Sequence, residues 1–254
     1  MYDQYLEVGG LPAVVRSYVQ NQSSGEYESI RQEIYVSQKD DFYRKEKLKS
    51  YLFEASIKAV ARNLASPFKL TSIIDNHREA KSALQQLVLW HIILLCEQHG
   101  ISPTSDYLPK AYLYDVGLAK AMRESSLPKL SLEETTDQGL RTALGGLVEN
   151  AVYLSLLSGK GFLQSPTGWK KDPKNPVEVD FVYKYKHTTL PIEVKASRRF
   201  NQRFTSSLLE YLNATGLKKG VLISAAPYKK ETVRGFEIIH LPVYYATPQV
   251  IRSL

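Results

Sequence analysis

Apolar residues recur at helical spacing through the first half of the chain and at strand spacing through much of the second. Gly9-Gly10-Leu11-Pro12 breaks the first helix. Residues 26–44 then place Ile30, Ile34, Tyr35 and Phe42 near one face, which predicts a long amphipathic helix. A second helix is expected over Leu48–Leu64, ending before Ser66-Pro67. A third is expected over Asp75–Trp90, with Ala80, Ala83, Leu84, Leu87 and Val88 on one side. Two apolar segments follow, Ile92–Cys96 and Ala111–Tyr114, joined by the polar loop GISPTSDYLP. Helices followed by a hairpin is the order of a winged-helix unit, so a helical, winged-helix-like domain is expected over 1–138. Leu127–Asp137 (LPKLSLEETTD) is polar, lacks periodicity, and reads as the linker.

The pattern changes in 139–254. Leu140–Leu157 is amphipathic, and strands are expected near Phe162, at Val177–Tyr185 and at Leu190–Ala196. Asn201–Thr215 reads helical, and Gly220–Ser224 and Phe236–Ile239 read as short buried strands. The order αβββαβ makes the fold class mixed, α+β or α/β, with a polar site at one edge of a central sheet. Val177–Tyr185 and Leu190–Ala196 are expected to pair as a hairpin through His187–Thr189.

Within that hairpin, strand alternation puts Glu178 and Asp180 on one face and Val177, Val179, Phe181 and Tyr183 on the other. In the next strand Glu193 and Lys195 share a face, with Val194 opposite. Two carboxylates and a lysine converging on one surface suit a divalent metal and a phosphodiester. The carboxylates hold the ion through oxygen, and the ion activates water and stabilises the phosphate.

Composition narrows this picture. A chain of 254 residues holds one or two domains, and 43% hydrophobic content with 17 tyrosines is enough for a packed core. The single cysteine, Cys96, excludes an internal disulfide and fits a reducing cytoplasm. The start MYDQYLEVGG has no basic region before an apolar stretch, so no signal peptide is read. The longest apolar run, LVLWHIILLC, is about half of a membrane span. A soluble cytoplasmic protein without a membrane partner is expected.

The net charge of +7 is concentrated. Between Lys160 and Lys219 stand 12 Lys/Arg and 5 Asp/Glu, while the rest of the chain has 21 of each sign. Such a field around the Asp180/Glu193/Lys195 strands would draw in a polyanion, with DNA the expected partner. A solvated lysine-rich surface is the plainer reading of the same charges. Lys170 and Lys171, beside Trp169, are candidate phosphate contacts, with Trp169 either stacking on a base or lying partly buried in a loop. Arg198, Arg199 and Arg203 are candidates to grip phosphates, or else a solvated helix start. None of the five histidines has metal-protease or zinc-finger spacing, and no G-x-S-x-G elbow is present. Gly145-Gly146 is expected to allow close helix–sheet packing. Tyr112 and Asp115 are expected to tie the wing to the next helix.

Several words of the chain carry a resemblance: LEVGGLPAVV at Leu6, KAVARNL at Lys58, KAYLYDVGLAKAM at Lys110, GGLVENAVYLSLL at Gly145, VEVDFVY at Val177, PIEVKAS at Pro191 and IIHLPVYYA at Ile238. The second half resembles the PD-(D/E)xK restriction-endonuclease-like fold. More narrowly, the whole chain resembles the DUF4143 region of bacterial and archaeal AAA-type ATPases. The resemblance implies a helix glutamate near the site, matched by Glu149, and a metal-binding aspartate, matched by Asp180. It implies an E-x-K pair, matched by Glu193 as metal ligand and Lys195 as the charge that orients water or steadies the phosphate. The implied ion is Mg²⁺ or Mn²⁺, held by Asp180, Glu193 and the main-chain carbonyl of Val194, with Glu149 completing the shell directly or through water. Full-length members begin with a P-loop ATPase domain. This chain has no G-x-x-x-x-G-K-[ST], so ATP binding by that route is not expected. Either it is a stand-alone or truncated form, or the ATPase part was lost or left out. An AAA-type ATPase acting in trans, or a homo-oligomer, is an implied partner. The expected function is a metal-dependent DNA endonuclease. The alternative is a non-catalytic module that binds DNA or an ATPase, its acids a relic or a structural ion cluster.

Overall fold

Four strips of sequence alternate between two compact units in the computed structural model: residues 1–95 with 111–130, and residues 96–110 with 131–254. The structure describes residues 2–21, 24–46, 48–100, 107–123, 138–158, 165–172, 174 and 177–254. The expected linker at Leu127–Asp137 and the expected strand near Phe162 lie outside the described residues.

The first unit is mainly helical, with α1 (Tyr2–Val8), α2 (Pro12–Asn21), α3 (Ser24–Glu46), α4 (Ser50–Arg62) and α5 (His77–Leu89). The apolar spacing seen along the chain is what packs them. Phe42 of α3 is fully buried, with its ring 5.5 Å from Phe53 of α4 and 5.9 Å from Trp90. Asn76 caps α5 by accepting from Glu79 N at 3.2 Å. After α5 come β1 (Ile93–Cys96), β2 (Gln98–His99), β3 (Lys110–Leu113) and α6 (Val116–Ala121). β1 and β3 pair as a two-stranded sheet, in agreement with the two apolar segments. Asp115 acts as expected of a structural residue. Its Oδ1 accepts from Leu118 N at 2.7 Å and caps α6, and its Oδ2 accepts from Gly10 N at 2.7 Å. Gly9 must be glycine here. Its φ is +82°, and a Cβ would stand 2.4 Å from Asp115 Oδ1.

The second unit contains α7 (Gln138–Leu157), β4 (Thr167–Lys170), β5 (Glu178–Tyr185), β6 (Thr188–Lys195), α8 (Ser206–Thr215), β7 (Lys219–Ser224), β8 (Lys229–Val233), β9 (Phe236–Pro242) and α9 (Pro248–Ser253). Among the described residues, seven strands form one mixed sheet in the order β2-β4-β5-β6-β7-β9-β8. β4, β5 and β6 run antiparallel in turn, while β6–β7 and β7–β9 are parallel. Tyr153 of α7 stacks on Phe181 of β5 at 5.6 Å and 25°, which fixes α7 on the sheet. Leu208, Tyr211 and Leu212 of α8 pack with Val182, Leu222 and Ile238. The chain leaves α8 through Gly216, at φ +74°.

Three expectations need correction. The hairpin turns at Lys186 and His187, not over His187–Thr189, because Thr188 and Thr189 pair with Tyr185 and Lys184. Trp169 is a core residue of β4, 7% exposed and edge-on to Tyr211 at 5.1 Å, rather than a loop aromatic. Of Gly145-Gly146, Gly145 is the departure: a Cβ there would meet nothing within 4 Å, so it is not demanded by close packing, whereas Gly146 is buried in α7. No helix among the described residues is long and apolar enough to cross a membrane.

Candidate functional site

Asp180 on β5 and Glu193 on β6 are brought together by register. Phe181 pairs with Ile192, so one step further Asp180 stands opposite Glu193 and both point to one face. Asp180 Oδ2 accepts from Val194 N at 2.9 Å. Lys195 Nζ donates to Glu193 Oε1 at 2.5 Å. Glu149 reaches the same cluster from α7. Glu149, Asp180 and Glu193 are 7%, 5% and 4% exposed. The cluster opens to solvent mainly through Lys195 and Glu178, whose side chains are 34% and 30% exposed.

The structure adds a residue to this set. Lys110, at the start of β3, has a fully buried side chain whose Nζ donates to Glu149 Oε1 and Asp180 Oδ1, both at 3.0 Å. Its third partner is Glu178 Oε1 at 3.3 Å. Reading KAYLYDVG for Tyr112 and Asp115 alone missed it. The signal was present, since a lysine opening a segment of buried apolar residues needs an anionic partner.

Burial works against every charge in the cluster, and the neighbours decide each outcome. Burial pulls the Lys110 ammonium toward neutrality, but Glu149, Asp180 and Glu178 outweigh it and hold the group well above the ordinary lysine value. Burial likewise opposes ionisation of Asp180, yet Lys110, Lys195 and the Val194 N–H bring its carboxyl below the usual range. Glu193 goes the other way. Burial, then the Asp180 charge, push it up to about 8 despite Lys195. Lys195 stays charged, its burial outweighed by Glu193 and Asp180. The Glu193 carboxyl beside Lys195 is therefore harder to ionise than an ordinary glutamate. Glu193 Oε2 is buried and has no hydrogen-bond partner among the described residues.

The donor set bears on a metal. Glu149, Glu178, Asp180 and Glu193 supply four carboxylates, and Lys110 and Lys195 supply two ammonium groups. Fully ionised, the cluster lacks two positive charges, which one divalent cation would provide. The unpartnered Oε2 of Glu193 is an oxygen free to take it. Among the described residues no three His, Cys, Asp or Glu side chains are arranged as a metal cage. The chain offers two facing carboxylates instead, with the Val194 main chain between them.

The basic candidates separate by environment. Arg198, Arg199 and Arg203 are exposed. Arg203 lines a groove with Gln202, Asn213 and Arg234 beside α8. Lys170 is half-buried, and Lys171 is paired with Glu210, so it is less free for a phosphate than its sequence position implied.

Fold and cluster together define a mixed α+β protein whose central strands β5 and β6, rather than a sheet edge, carry buried, lysine-paired carboxylates. Residues 1–131 match a domain of unknown function, DUF8612, and residues 144–244 match a second, DUF4143. The first match spans 131 of the 254 residues, and the chain belongs to the DUF8612 family. The second contains Glu149, Asp180, Glu193 and Lys195, and it supports the DUF4143 likeness over residues 144–244. No curated protein and no solved structure matches the chain.

Proposed function

We propose that the chain is a metal-dependent nuclease acting on DNA, its second unit a restriction-endonuclease-like domain and its first a winged-helix-like one. The observation that carries this is the facing pair Asp180 and Glu193, with Lys195 one strand period beyond Glu193 and Glu193 Oε2 without a partner among the described residues. Asp180, Glu193 and the Val194 carbonyl would hold Mg²⁺ or Mn²⁺, with Glu149 behind them. The bound ion supplies Lewis acidity and lowers the pKa of a water ligand. Lys195, the partly exposed cation of the set, would orient that water and meet the phosphate. The exposed Arg198, Arg199 and Arg203 would anchor neighbouring phosphates, with a salt dependence of roughly −0.9 in log–log slope per contact.

The test is nicking of supercoiled DNA in Mg²⁺ or Mn²⁺, with EDTA and Lys195→Ala as controls. Cleavage that both controls abolish supports the reading. Loss of one transition-state charge is expected to lower turnover by about two to three orders of magnitude. Absence of cleavage of any DNA form, with DNA affinity unchanged by Asp180→Ala, would overturn it. A second reading, a non-catalytic module, is favoured by one observation: Lys110 already bonds Asp180 and Glu149.

A further inference from the structure

We propose that Lys110 is the site's own cation, and that it competes with a divalent ion for the Asp180 carboxylate. This rests on the reading of Asp180 and Glu193 as metal ligands. Both oxygens of Asp180 are engaged, Oδ2 by Val194 N–H and Oδ1 by Lys110 Nζ. An ion shared between Asp180 and Glu193 therefore meets either a carboxylate still bonded to an ammonium or one the ammonium has released. The first case places two like charges on one carboxylate in a buried site, where solvent screens them poorly. The second requires Lys110 to keep a counter-ion elsewhere, and the structure supplies two, Glu149 at 3.0 Å and Glu178 at 3.3 Å. Glu178 is the more exposed of these, so it can hold the ammonium nearer to water. Lys110 is thus placed to yield Asp180 without losing every partner. It is also the last residue of the 96–110 segment, which leaves the first unit's strip of sequence and returns to it. Metal affinity is accordingly set by this lysine as well as by the carboxylates.

Mn²⁺ calorimetry on the full chain, Lys110→Met and Lys110→Arg tests this. Met keeps the length and removes the charge, and Arg keeps the charge. Lys110→Met is expected to bind Mn²⁺ at least about tenfold tighter than the unmodified chain, with Lys110→Arg within about threefold of it. Its melting temperature should also rise more on adding Mn²⁺ than that of Lys110→Arg. Lys110→Met takes the ammonium away from Glu149, Glu178 and Asp180 and can fail to fold without metal. In that case recovery of its far-UV circular dichroism on adding Mn²⁺ supports competition, and failure to recover at saturating Mn²⁺ overturns it. If the unmodified chain binds Mn²⁺ and Lys110→Met binds no tighter, the competition is refuted while the metal reading survives. If none of the three binds Mn²⁺, both are refuted.

Discussion

Asp180→Asn removes one charge from the buried cluster at almost constant volume. The amide can present its oxygen to Val194 N–H, but its NH₂ then faces Lys110 Nζ, donor against donor. Flipped, it serves Lys110 and opposes Val194. Either way one bond of 2.9 or 3.0 Å is lost in a site only 5% exposed. A bond to a charged group contributes about 1.5–3 kcal/mol, and breaking a buried ion pair costs about 3–5 kcal/mol. The expected loss is about 3 kcal/mol. Glu178→Gln removes a charge from the same ammonium, but that side chain is 30% exposed and 3.3 Å away. Solvent screening reduces its effect to about 1 kcal/mol or less. Because the two units need not unfold together, the assay should report on the second alone. The two tryptophans allow this, since Trp90 lies in the first unit and Trp169 in the core of the second. Urea unfolding followed by fluorescence in a Trp90→Phe background isolates Trp169. Asp180→Asn within about 0.5 kcal/mol of the parent would refute the reasoning. Equal costs for Asp180→Asn and Glu178→Gln would refute it too, because burial would then not be what sets the magnitude.

Glu193 predicts a slope of stability with pH. Its folded-state pKa is raised from 4.5 to about 8, so its contribution is present in full below 4.5 and is lost as pH rises through about 8. Asp180, with its pKa lowered, acts in the opposite sense and only on acidification. Urea midpoints of the Trp90→Phe background should therefore fall from roughly pH 5 to 9, and Glu193→Gln should flatten that fall; parallel profiles would contradict the assignment. Gly9→Ala should destabilise the first unit by about 2–3 kcal/mol, about 1 from the positive φ and the rest from displacing the Asp115 cap. In an Asp115→Ala background, calorimetry should show that cost shrink to about 1 kcal/mol, and full additivity would argue against the Gly9–Asp115 contact.

Much of this was legible in the chain for identifiable reasons. The helices of the first unit show at Phe42, Phe53 and Ala80 because each helix buries one stripe against its neighbours. The β5–β6 hairpin shows because its two strands are long and densely apolar. β8 was missed because KKETV is an edge strand with one partner, dressed in the charges that edges use to prevent further pairing. β4 was missed because Thr-Gly-Trp-Lys is only four residues long. β2 was missed because two residues leave no period to read. Within the candidate site, alternation groups Glu178 with Asp180 and Glu193 with Lys195, but setting Asp180 opposite Glu193 takes the register fixed by the Lys186-His187 turn, which the chain alone did not show. Lys110 lies 70 residues from Asp180 in the chain, and only the tertiary fold brings its ammonium there.

Asp180 and Glu193 are proposed to form a divalent-cation site. Mn²⁺ calorimetry comparing the unmodified chain with Glu193→Gln tests it most directly. Gln keeps the volume of the side chain and cannot supply the charge that the ion needs. One Mn²⁺ per chain is expected, bound tighter as pH rises toward about 8 because binding displaces the Glu193 proton, and lost in Glu193→Gln while its fold is retained. No Mn²⁺ binding by the unmodified chain, or equal binding by Glu193→Gln, would contradict it.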